Sequence, residues 1–264
     1  MSTRSRSIAS SWLQRRVGRV LDGYLEQRAD REREEQRARH NELIDWLTKF
    51  ERRQRRDVYT AMERAAADES AAFAVESFHN TKPSFHPHDT LRHAVSQSPS
   101  TGLALEFGVA SGRTLSIIAE VRGQRKVFGF DSFAGLPEHW RWGFDAGAFA
   151  ADKAPVVQGA KVIEGVFQDV LPEFLAKNEG PLSFAHIDSD LYSSAIYVLQ
   201  QLRPRMVEGT VILFDEYFNY PGWEHHEHRA WQEYVDRTGA EFVHEAYTVD
   251  HEQVAMRITR PGRH

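Results

Sequence analysis

The chain has 264 residues, of which 41% are hydrophobic, and it contains no cysteine. This length allows one sizeable hydrophobic core with an appendage, and the lack of cysteine excludes disulfides, thiolate metal sites and a cysteine nucleophile. The formal net charge of -5 argues against general nucleic-acid binding, which needs a basic face. No apolar run approaches the roughly 20 residues of a transmembrane helix, and we expect a cytoplasmic protein.

Residues 1–72 are predicted to form a helical arm outside the core domain. The stretch from Arg28 to His40 is almost wholly charged, which is typical of a solvent-exposed helix. An apolar stripe at helical spacing follows, formed by Leu43, Ile44, Trp46, Leu47 and Phe50. Because the arm lacks a core of its own, this stripe is expected to pack on the main domain or on a second copy of the chain. The second case gives a homodimer or a larger homo-oligomer.

The first 21 residues contain several arginines and no acid. Such a composition resembles a transit peptide or a basic helix on a membrane surface. The pattern continues without a break into the mixed-charge helix, so we favour an ordinary helical arm.

Residues 73–99 are rich in proline and histidine. Because prolines at this density break helices, we expect a loop or a short lid segment here. The four histidines are either substrate or metal contacts or ordinary surface residues, and we favour the second interpretation. They are His79, His86, His88 and His93.

Residues 103–259 alternate between short apolar runs and amphipathic stretches, which predicts a doubly wound α/β domain. The predicted strands are 103–109, 126–131, 160–164, 182–187, 210–214, 241–249 and 252–259. Only Asp250 and His251 join the last two strands, and so short a connection requires an antiparallel pair. We therefore predict a seven-stranded, mostly parallel sheet with an N-terminal helical arm.

A glycine-rich turn from Gly108 to Gly112 joins the first of these strands to a helix. Such a turn lets backbone N–H groups face a ligand. Asp131 ends the next strand, at a distance that suits the ribose hydroxyls of an adenosine-containing cofactor. The turn lacks the G-x-G-x-x-G spacing of dinucleotide sites, and the chain has no Tyr-x-x-x-Lys pair. Both facts disfavour an NAD-dependent oxidoreductase.

Four carboxylates follow two neighbouring apolar strands. Asp188 and Asp190 come after the first strand, and Asp215 and Glu216 come directly after the second. Ligands of open α/β sheets bind beyond the carboxyl ends of strands, and carboxylates crowded there repel each other unless a cation or a shared proton compensates them. We therefore predict a divalent metal site with a catalytic base.

Each of these acids also has an alternative role. Asp190 precedes a predicted helix and could be its N-cap, and the pair after the second strand could bind arginines. His186 lies on the same strand face as Asp188, where it either contacts the cofactor or substrate or is a hydrogen-bonded core histidine.

Several motifs between residues 73 and 259 together resemble those of one enzyme family. They are LEFGV at 105–109 with GRTL at 112–115, GFDSF at 129–133 with GLP at 135–137, GVF at 165–167 with LP at 171–172, IDSDLY at 187–192, FDEY at 214–217 with PGW at 221–223, and Glu227. The chain resembles the TylF-type (macrocin O-methyltransferase) family, whose members use S-adenosylmethionine (SAM) and a metal. The resemblance implies a Rossmann-like methyltransferase domain over residues 73–264. It also implies methyl transfer to a hydroxyl of a sugar or of a glycosylated natural product.

The resemblance also assigns roles to individual residues. Asp188, Asp215 and Glu216 would bind Mg²⁺ or another divalent cation, and Asp190 would be the base, with Asp188 as a second catalytic residue. Glu216 stands where some relatives have an aspartate, so the ligand sphere is altered. The expected SAM-binding residues are Glu106, Phe107, Gly108, Gly112, Thr114, Asp131, Ser132, Phe133, Gln168, Asp169 and Asp188. The expected substrate residues are Trp223, His225, His226 and Glu227, for which a solvated aromatic loop is the equal alternative. Asp169 would contact adenine or instead cap the following helix.

Two other functions stay open at this point. The acceptor could be a phenol, since the aromatic loops permit either acceptor. The chain could also be an inactive SAM-fold module that serves assembly through its helical arm.

Overall fold

A computed structural model of the protein describes residues 3–123 and 126–263. For residues 3–20 and for residue 22 it describes the backbone alone, so the side chains of the basic N-terminal segment lie outside the described part. The contacts divide the chain into two compact units, Met1–Ala61 and Met62–His264.

The N-terminal part of the chain is helical, as predicted. Helix α1 spans Thr3–Arg56 and helix α2 spans Val58–Ser77. Asp57 separates them, and its Oδ1 accepts hydrogen bonds from the backbone N–H groups of Tyr59 and Thr60, which satisfies donors that a helix start leaves free. Within the described residues, no helix combines the length and the apolar character that crossing a membrane requires.

The second unit is built on one eight-stranded sheet. Its strands are β1 (Lys82–Ser84), β2 (Leu103–Phe107), β3 (Val127–Asp131), β4 (Lys161–Glu164), β5 (Leu182–Ile187), β6 (Met206–Phe214), β7 (Glu241–Thr248) and β8 (Val254–Arg260). Their order across the sheet is β1-β7-β8-β6-β5-β2-β3-β4. β8 is antiparallel to β6 and to β7, whereas the other pairs are parallel. The predicted fold class is confirmed, including the antiparallel pair at the end.

Helices cover both faces of this sheet. They are α3 (Pro87–Gln97), α4 (Arg113–Val121), α5 (Phe167–Lys177), α6 (Tyr192–Leu202) and α7 (Glu227–Thr238). Side chains of β2 alternate between two buried clusters, with Leu105 and Phe107 in one and Ala104 in the other. All residues of β2 and β5 are buried, as expected for central parallel strands packed on both faces.

The expectation of a loop over residues 73–99 is wrong. Pro87 is the first residue of α3, a position where proline costs little because the N–H it lacks has no intrahelical partner. His86 caps that helix, because its Nδ1 accepts the backbone N–H of His88 at 3.2 Å. Pro83 lies in β1 at the edge of the sheet, where strands tolerate proline. This short edge strand accounts for the eighth strand where the sequence indicated seven.

The order of the strands places the predicted site at a switch point. The chain runs from β2 outward through β3 and β4 and then returns to β5 on the other side of β2. Ligands of open α/β sheets bind in the crevice that such a reversal opens. Glu106 pairs in register with His186 across β2 and β5. This register brings Gly108 beside Asp188, at the carboxyl ends of the two strands.

Candidate active site

The turn after β2 lies against the end of β5. Gly108 has a φ of +97°, and a Cβ at this position would lie 1.8 Å from the carbonyl oxygen of Asp188. Glycine is therefore required both by the backbone conformation and by the close approach of the two segments. Ala110 and Ser111 of the same turn are exposed, so the backbone there is accessible to a ligand.

Asp131 fixes this turn from the neighbouring strand. Its Oδ2 accepts the backbone N–H groups of Val109 and Ala110, each at 2.9 Å. Its Oδ1 accepts the N–H of Phe133 at 2.8 Å. Oδ2 uses both of its acceptor sites in these bonds, whereas Oδ1 keeps one further lone pair. Asp131 can therefore hold the turn and still accept a hydrogen bond from a ribose hydroxyl at Oδ1.

A buried histidine connects Glu106 to Asp215. Nδ1 of His186 lies 2.9 Å from Oε1 of Glu106, and its Nε2 lies 3.0 Å from Oδ1 of Asp215. An imidazole donates from both nitrogens only when it is protonated. Burial acts to lower the pKa of His186, but hydrogen bonds to these two carboxylates raise that pKa well above its ordinary value. The two carboxylates thus favour the protonated imidazole, and His186 links β2 to the end of β6 through hydrogen bonds.

The same contacts make Asp215 the most acidic member of the group. Burial acts to raise the pKa of Asp215, but the hydrogen bond and the charge of His186 lower it to about 2. The side-chain amide of Gln253 donates a further hydrogen bond to Asp215 Oδ1. Glu106 is fully buried, and burial raises its pKa against the opposing effect of His186. Thr114, one of the predicted cofactor residues, forms a side-chain hydrogen bond with Glu106.

The strand-end acids form two overlapping groups that both contain Asp188. In one group, ligand atoms of Asp188, Asp190 and Glu216 all lie within 4.8 Å of one another. In the other, ligand atoms of Asp188, His186 and Asp215 do so. Because both nitrogens of His186 already bond carboxylates, the group of three carboxylates is the better oxygen donor set for a hard cation. The predicted grouping of Asp188, Asp215 and Glu216 stays a prediction.

Burial and mutual repulsion raise the pKa values of three members of this group. Burial, followed by the charge of Asp215, raises the pKa values of Asp188 and Glu216 well above their ordinary range. The same two causes raise the pKa of Asp190 to about 7. Oε2 of Glu216 is buried and has no hydrogen-bond partner among the described residues. A buried carboxylate oxygen without a partner is rare in folded proteins, and a cation would satisfy it.

Asp190 does not cap the helix that follows it. The residue at the cap of α6 is Leu191, and no side chain donates or accepts there. Asp190 itself has a φ of +61°, a conformation in which aspartate and asparagine are enriched among non-glycine residues. With 7% of its surface exposed, its carboxylate is held at the acid group rather than at the helix end.

Glu227 joins the two acid-bearing segments through their backbones. Its Oε1 accepts the N–H of Ser189 at 3.3 Å, and its Oε2 accepts the N–H of Glu216 at 3.1 Å. The side chain is fully buried, and burial raises its pKa well above its ordinary value. This predicted substrate residue therefore holds the ends of β5 and β6 together.

Replacing Glu227 by alanine is expected to lower the free energy of unfolding by about 2–4 kcal/mol. Two buried N–H groups lose their acceptor, which typically costs about 1–3 kcal/mol each, and relief of repulsion among the acids offsets part of that loss. Urea unfolding followed by circular dichroism measures the change. Glu224→Ala, an exposed acid three residues earlier, is the matched control. An unchanged midpoint for Glu227→Ala would show that the two bonds do not stabilise the fold.

The structure divides the other predicted site residues into two sets. Gly112, Ser132 and Phe133 lie at the turn after β2 or directly after β3, beside Asp131. Gln168 and Asp169 are exposed in the first turn of α5, and the N-cap there is Val166. Asp169 is therefore not the helix cap, and its adenine contact stays a prediction.

The predicted substrate loop has a buried and an exposed part. Trp223 is buried against Phe73 and His228, with ring centres 5.6 Å and 4.6 Å away. His225 is exposed and His226 is half-buried. Burial, followed by the charge of His225, lowers the pKa of His226. Of the four predicted residues, His226 is the one that is partly accessible while lying next to the buried Glu227.

Sequence reasoning missed several residues at the site. Gln253 bonds Asp215, and Arg141 Nη1 donates to Oε1 of Glu252 at 2.9 Å. The guanidinium of Arg141 lies over the ring of Tyr220, with its central carbon 4.5 Å from the ring centre. The position of Arg141 inside the long segment after β3 was the one available signal, since long insertions at this edge commonly bind ligands.

Comparison with known proteins agrees with this geometry. A family model described as a methyltransferase domain matches residues 105–217. The chain contains a methyltransferase domain. The matched segment runs from β2 to the end of β6, so the domain includes the glycine-rich turn and all four strand-end acids.

Solved methyltransferase structures share the fold of this domain. The structure of CalS11, described as a calicheamicin methyltransferase, is 26% identical with a TM-score of 0.51, over 64% of this chain and 76% of that chain. The O-methyltransferase NovP is 22% identical with a TM-score of 0.50, over 66% of this chain and 79% of NovP. No curated protein sequence matches the chain. The prediction of a SAM-dependent methyltransferase is confirmed, whereas the TylF-type assignment stays a prediction.

Proposed function

We propose that this methyltransferase transfers the methyl group of SAM to a hydroxyl of a sugar or of a glycosylated natural product, with a divalent cation at the strand-end acids. The observation that carries the proposal is the group formed by Asp188, Asp190 and Glu216 beside the glycine-rich turn. A methyltransferase of nitrogen or carbon has no evident need for three clustered carboxylates, whereas a weakly acidic hydroxyl needs help to lose its proton.

The residues of this group fit a divalent cation. Hard cations such as Mg²⁺ prefer carboxylate oxygens, and Asp188 and Glu216 offer such atoms, one of them without a partner. A bound cation supplies positive charge that lowers the pKa of a coordinated hydroxyl. Glu227 and His186 hold the backbone and side chains around the group, as their hydrogen bonds indicate. Such fixed surroundings reduce the reorganisation that binding requires.

Asp190 is the residue we assign to proton removal. Its carboxylate is in the acid group, and burial, followed by the charge of Asp215, raises its pKa above that of an exposed aspartate. A base is most effective when its pKa lies near the working pH. We count Asp188 and Glu216 as the ligands of the cation and assign Asp190, which caps no helix, to accept the acceptor's proton.

The proposed preference for a saccharide acceptor is supported by the similarity of this chain to CalS11. An apo structure of CalS11, with 25% identity and a TM-score of 0.44 over 64% of this chain and 76% of that chain, is described as a TDP-rhamnose 3'-O-methyltransferase. Vicinal hydroxyls of a sugar could bind the acid-held cation as a pair. A phenolic acceptor such as catechol has the same pair of oxygens and is the second candidate.

Calorimetric titration with SAM, with and without Mg²⁺, followed by an acceptor screen with labelled SAM, tests the proposal. SAM binding together with Mg²⁺-dependent transfer to a saccharide hydroxyl supports it. Failure to bind SAM would contradict the cofactor assignment. SAM binding with transfer that persists in excess chelator would contradict the metal. SAM binding without transfer to any acceptor would favour the non-catalytic module.

We further propose that the helical arm joins copies of the chain. Its apolar stripe is exposed in the single chain, with Trp46 and Phe50 at 59% and 50% exposure and their rings stacked at 5.6 Å. Exposed aromatic side chains in a continuous stripe are typical of an interface. A second copy presents the same stripe, as a two-fold symmetric dimer requires.

Replacing Trp46 and Phe50 together by lysine in the full chain is expected to shift the protein from dimer or larger oligomer to monomer. Placing two positive charges from each chain in an apolar interface opposes association. Light scattering coupled to size-exclusion chromatography measures the mass. Glu42→Lys, which adds a positive charge at an exposed position of the same helix, is the control. An identical mass for the double variant and the control would contradict arm-mediated assembly.

A further inference from the structure

Of the buried nitrogen atoms that have no hydrogen-bond partner among the described residues, three are on side chains that surround the ring of Tyr220 near the acid group. They are Nε1 of Trp140, Nε of Arg141 and Nδ1 of His226. Nearly all buried polar atoms in folded proteins are hydrogen-bonded. Three such atoms on neighbouring side chains therefore point to a ligand with several hydrogen-bonding groups. We call Trp140, Arg141 and His226 together the nitrogen wall.

Trp140 places one end of the wall beside the proposed base. It is 6% exposed and packs in one apolar cluster with Leu136 and Leu191. Leu191 directly follows Asp190 in the chain. The indole N–H of Trp140 is a donor only, so the atom that would bond it must be an acceptor such as a hydroxyl or an ether oxygen.

Arg141 lies between two aromatic rings. Its guanidinium carbon is 3.9 Å from the ring centre of Trp140 and 4.5 Å from that of Tyr220. Glu252 accepts a hydrogen bond from its Nη1 at 2.9 Å. Because rings cover the faces of the guanidinium and Glu252 fixes one edge, the Nε–H is held in a defined direction.

Tyr220 connects the wall to the metal-binding acids. Its hydroxyl donates to the backbone carbonyl of Glu216 at 3.4 Å. The ring of His226 is centred 6.4 Å from the ring of Tyr220, and His226 directly precedes Glu227. The nitrogen wall thus flanks Asp190 at one end and Glu216 at the other, which is where an acceptor bound at the acids must extend.

We propose that the nitrogen wall makes the enzyme select a saccharide over a catechol, by hydrogen bonds to sugar oxygens that are not bound at the acids. This inference rests on the proposed function. A catechol has two oxygens, and both are used at the acid group. A pyranoside with the same diol has a ring oxygen and further hydroxyls, which can accept hydrogen bonds from Trp140 and Arg141.

Steady-state methyl transfer to a methyl rhamnoside and to catechol tests the inference in the full-length enzyme with Mg²⁺. Trp140→Phe keeps an aromatic ring but removes the N–H, and Arg141→Lys keeps the charge opposite Glu252 but removes the Nε–H. Each variant is expected to raise KM for the rhamnoside by about 10–100-fold, because a site built to hydrogen-bond its substrate loses that much per missing bond. The kcat/KM for catechol and the Kd for SAM are expected to be unchanged.

Trp142→Phe is the matched control, because it alters a tryptophan of the same loop that is 73% exposed. It is expected to leave KM for the rhamnoside and kcat/KM for catechol unchanged. Equal losses for both acceptors, or no loss for either, would overturn the role of the wall. A wild-type enzyme that methylates catechol but not the rhamnoside would also overturn it and would leave the O-methyltransferase function standing. A wild-type enzyme that binds SAM and methylates neither would overturn the proposed function together with this inference.

Discussion

Replacing Asp190 by asparagine is expected to slow methyl transfer by about 10²–10⁴-fold, the usual contribution of a general base. The amide cannot accept the proton, yet it keeps the size of the carboxylate and tolerates the φ of +61° that this position requires. Single-turnover transfer from labelled SAM to a saccharide acceptor, at saturating Mg²⁺, measures the chemical step.

Two comparisons separate loss of the base from loss of the fold. Asp190→Asn should bind SAM with the wild-type Kd and unfold at or above the wild-type urea midpoint, because it removes a buried charge that its neighbours repel. Asp190→Ala should be less stable than Asp190→Asn, because alanine is strained at positive φ. Asp236→Asn, an exposed aspartate on α7, is the control for the loss of one negative charge. Wild-type rates for Asp190→Asn would mean that the proton leaves to another group or to water.

Local sequence patterns were sufficient to predict the frame of the domain. β2, β5 and the second half of β6 are largely apolar and buried, and each strand stops where a glycine or an aspartate follows. The end of a strand is therefore visible in the sequence, and with it the positions of Asp188 and Asp215 at one edge of a parallel sheet. The glycine-rich turn was visible for the same reason, since Gly108 is required by local backbone conformation.

The supporting contacts could not be predicted, because they depend on residues that are distant in the chain. Arg141 and Glu252 are 111 positions apart, and Gln253 and Asp215 are 38 apart. No spacing rule connects such pairs before the fold brings them together. His186 illustrates the same limit. Its place on a strand face was predicted, but its bridge from Glu106 to Asp215 depends on the register of three strands.

Proline also shows why composition alone misled the interpretation of residues 73–99. A proline inside a helix breaks it, whereas Pro87 occupies the first position of α3 and favours the helix. Distinguishing the two cases requires knowledge of where the helix begins. His86 caps α3 in the structure, but histidine is not among the residues that typically mark a helix start, so the sequence did not indicate where the helix begins.

Replacing Asp188 by asparagine is expected to reduce Mg²⁺-dependent methyl transfer by about 10³-fold and to remove the stabilisation by Mg²⁺. Asp188 belongs to both groups of ligand atoms at the site. Neither group is therefore complete without its carboxylate. In the wild type, Mg²⁺ at about 100 times its Kd should add ~2.7 kcal/mol of stability. For a domain of this size, that increment raises Tm by about 5–10 °C.

Thermal unfolding with Mg²⁺ and with excess chelator measures this second effect without any reaction. The asparagine variant should unfold at the same temperature in both conditions. It should also be at least as stable as the chelated wild type, because the substitution removes one of several buried charges that repel each other. Glu164→Gln is the matched control, since it neutralises an exposed carboxylate at the end of β4. A Tm of the wild type that does not respond to Mg²⁺, or an Asp188→Asn variant that responds fully, would contradict a cation at these acids.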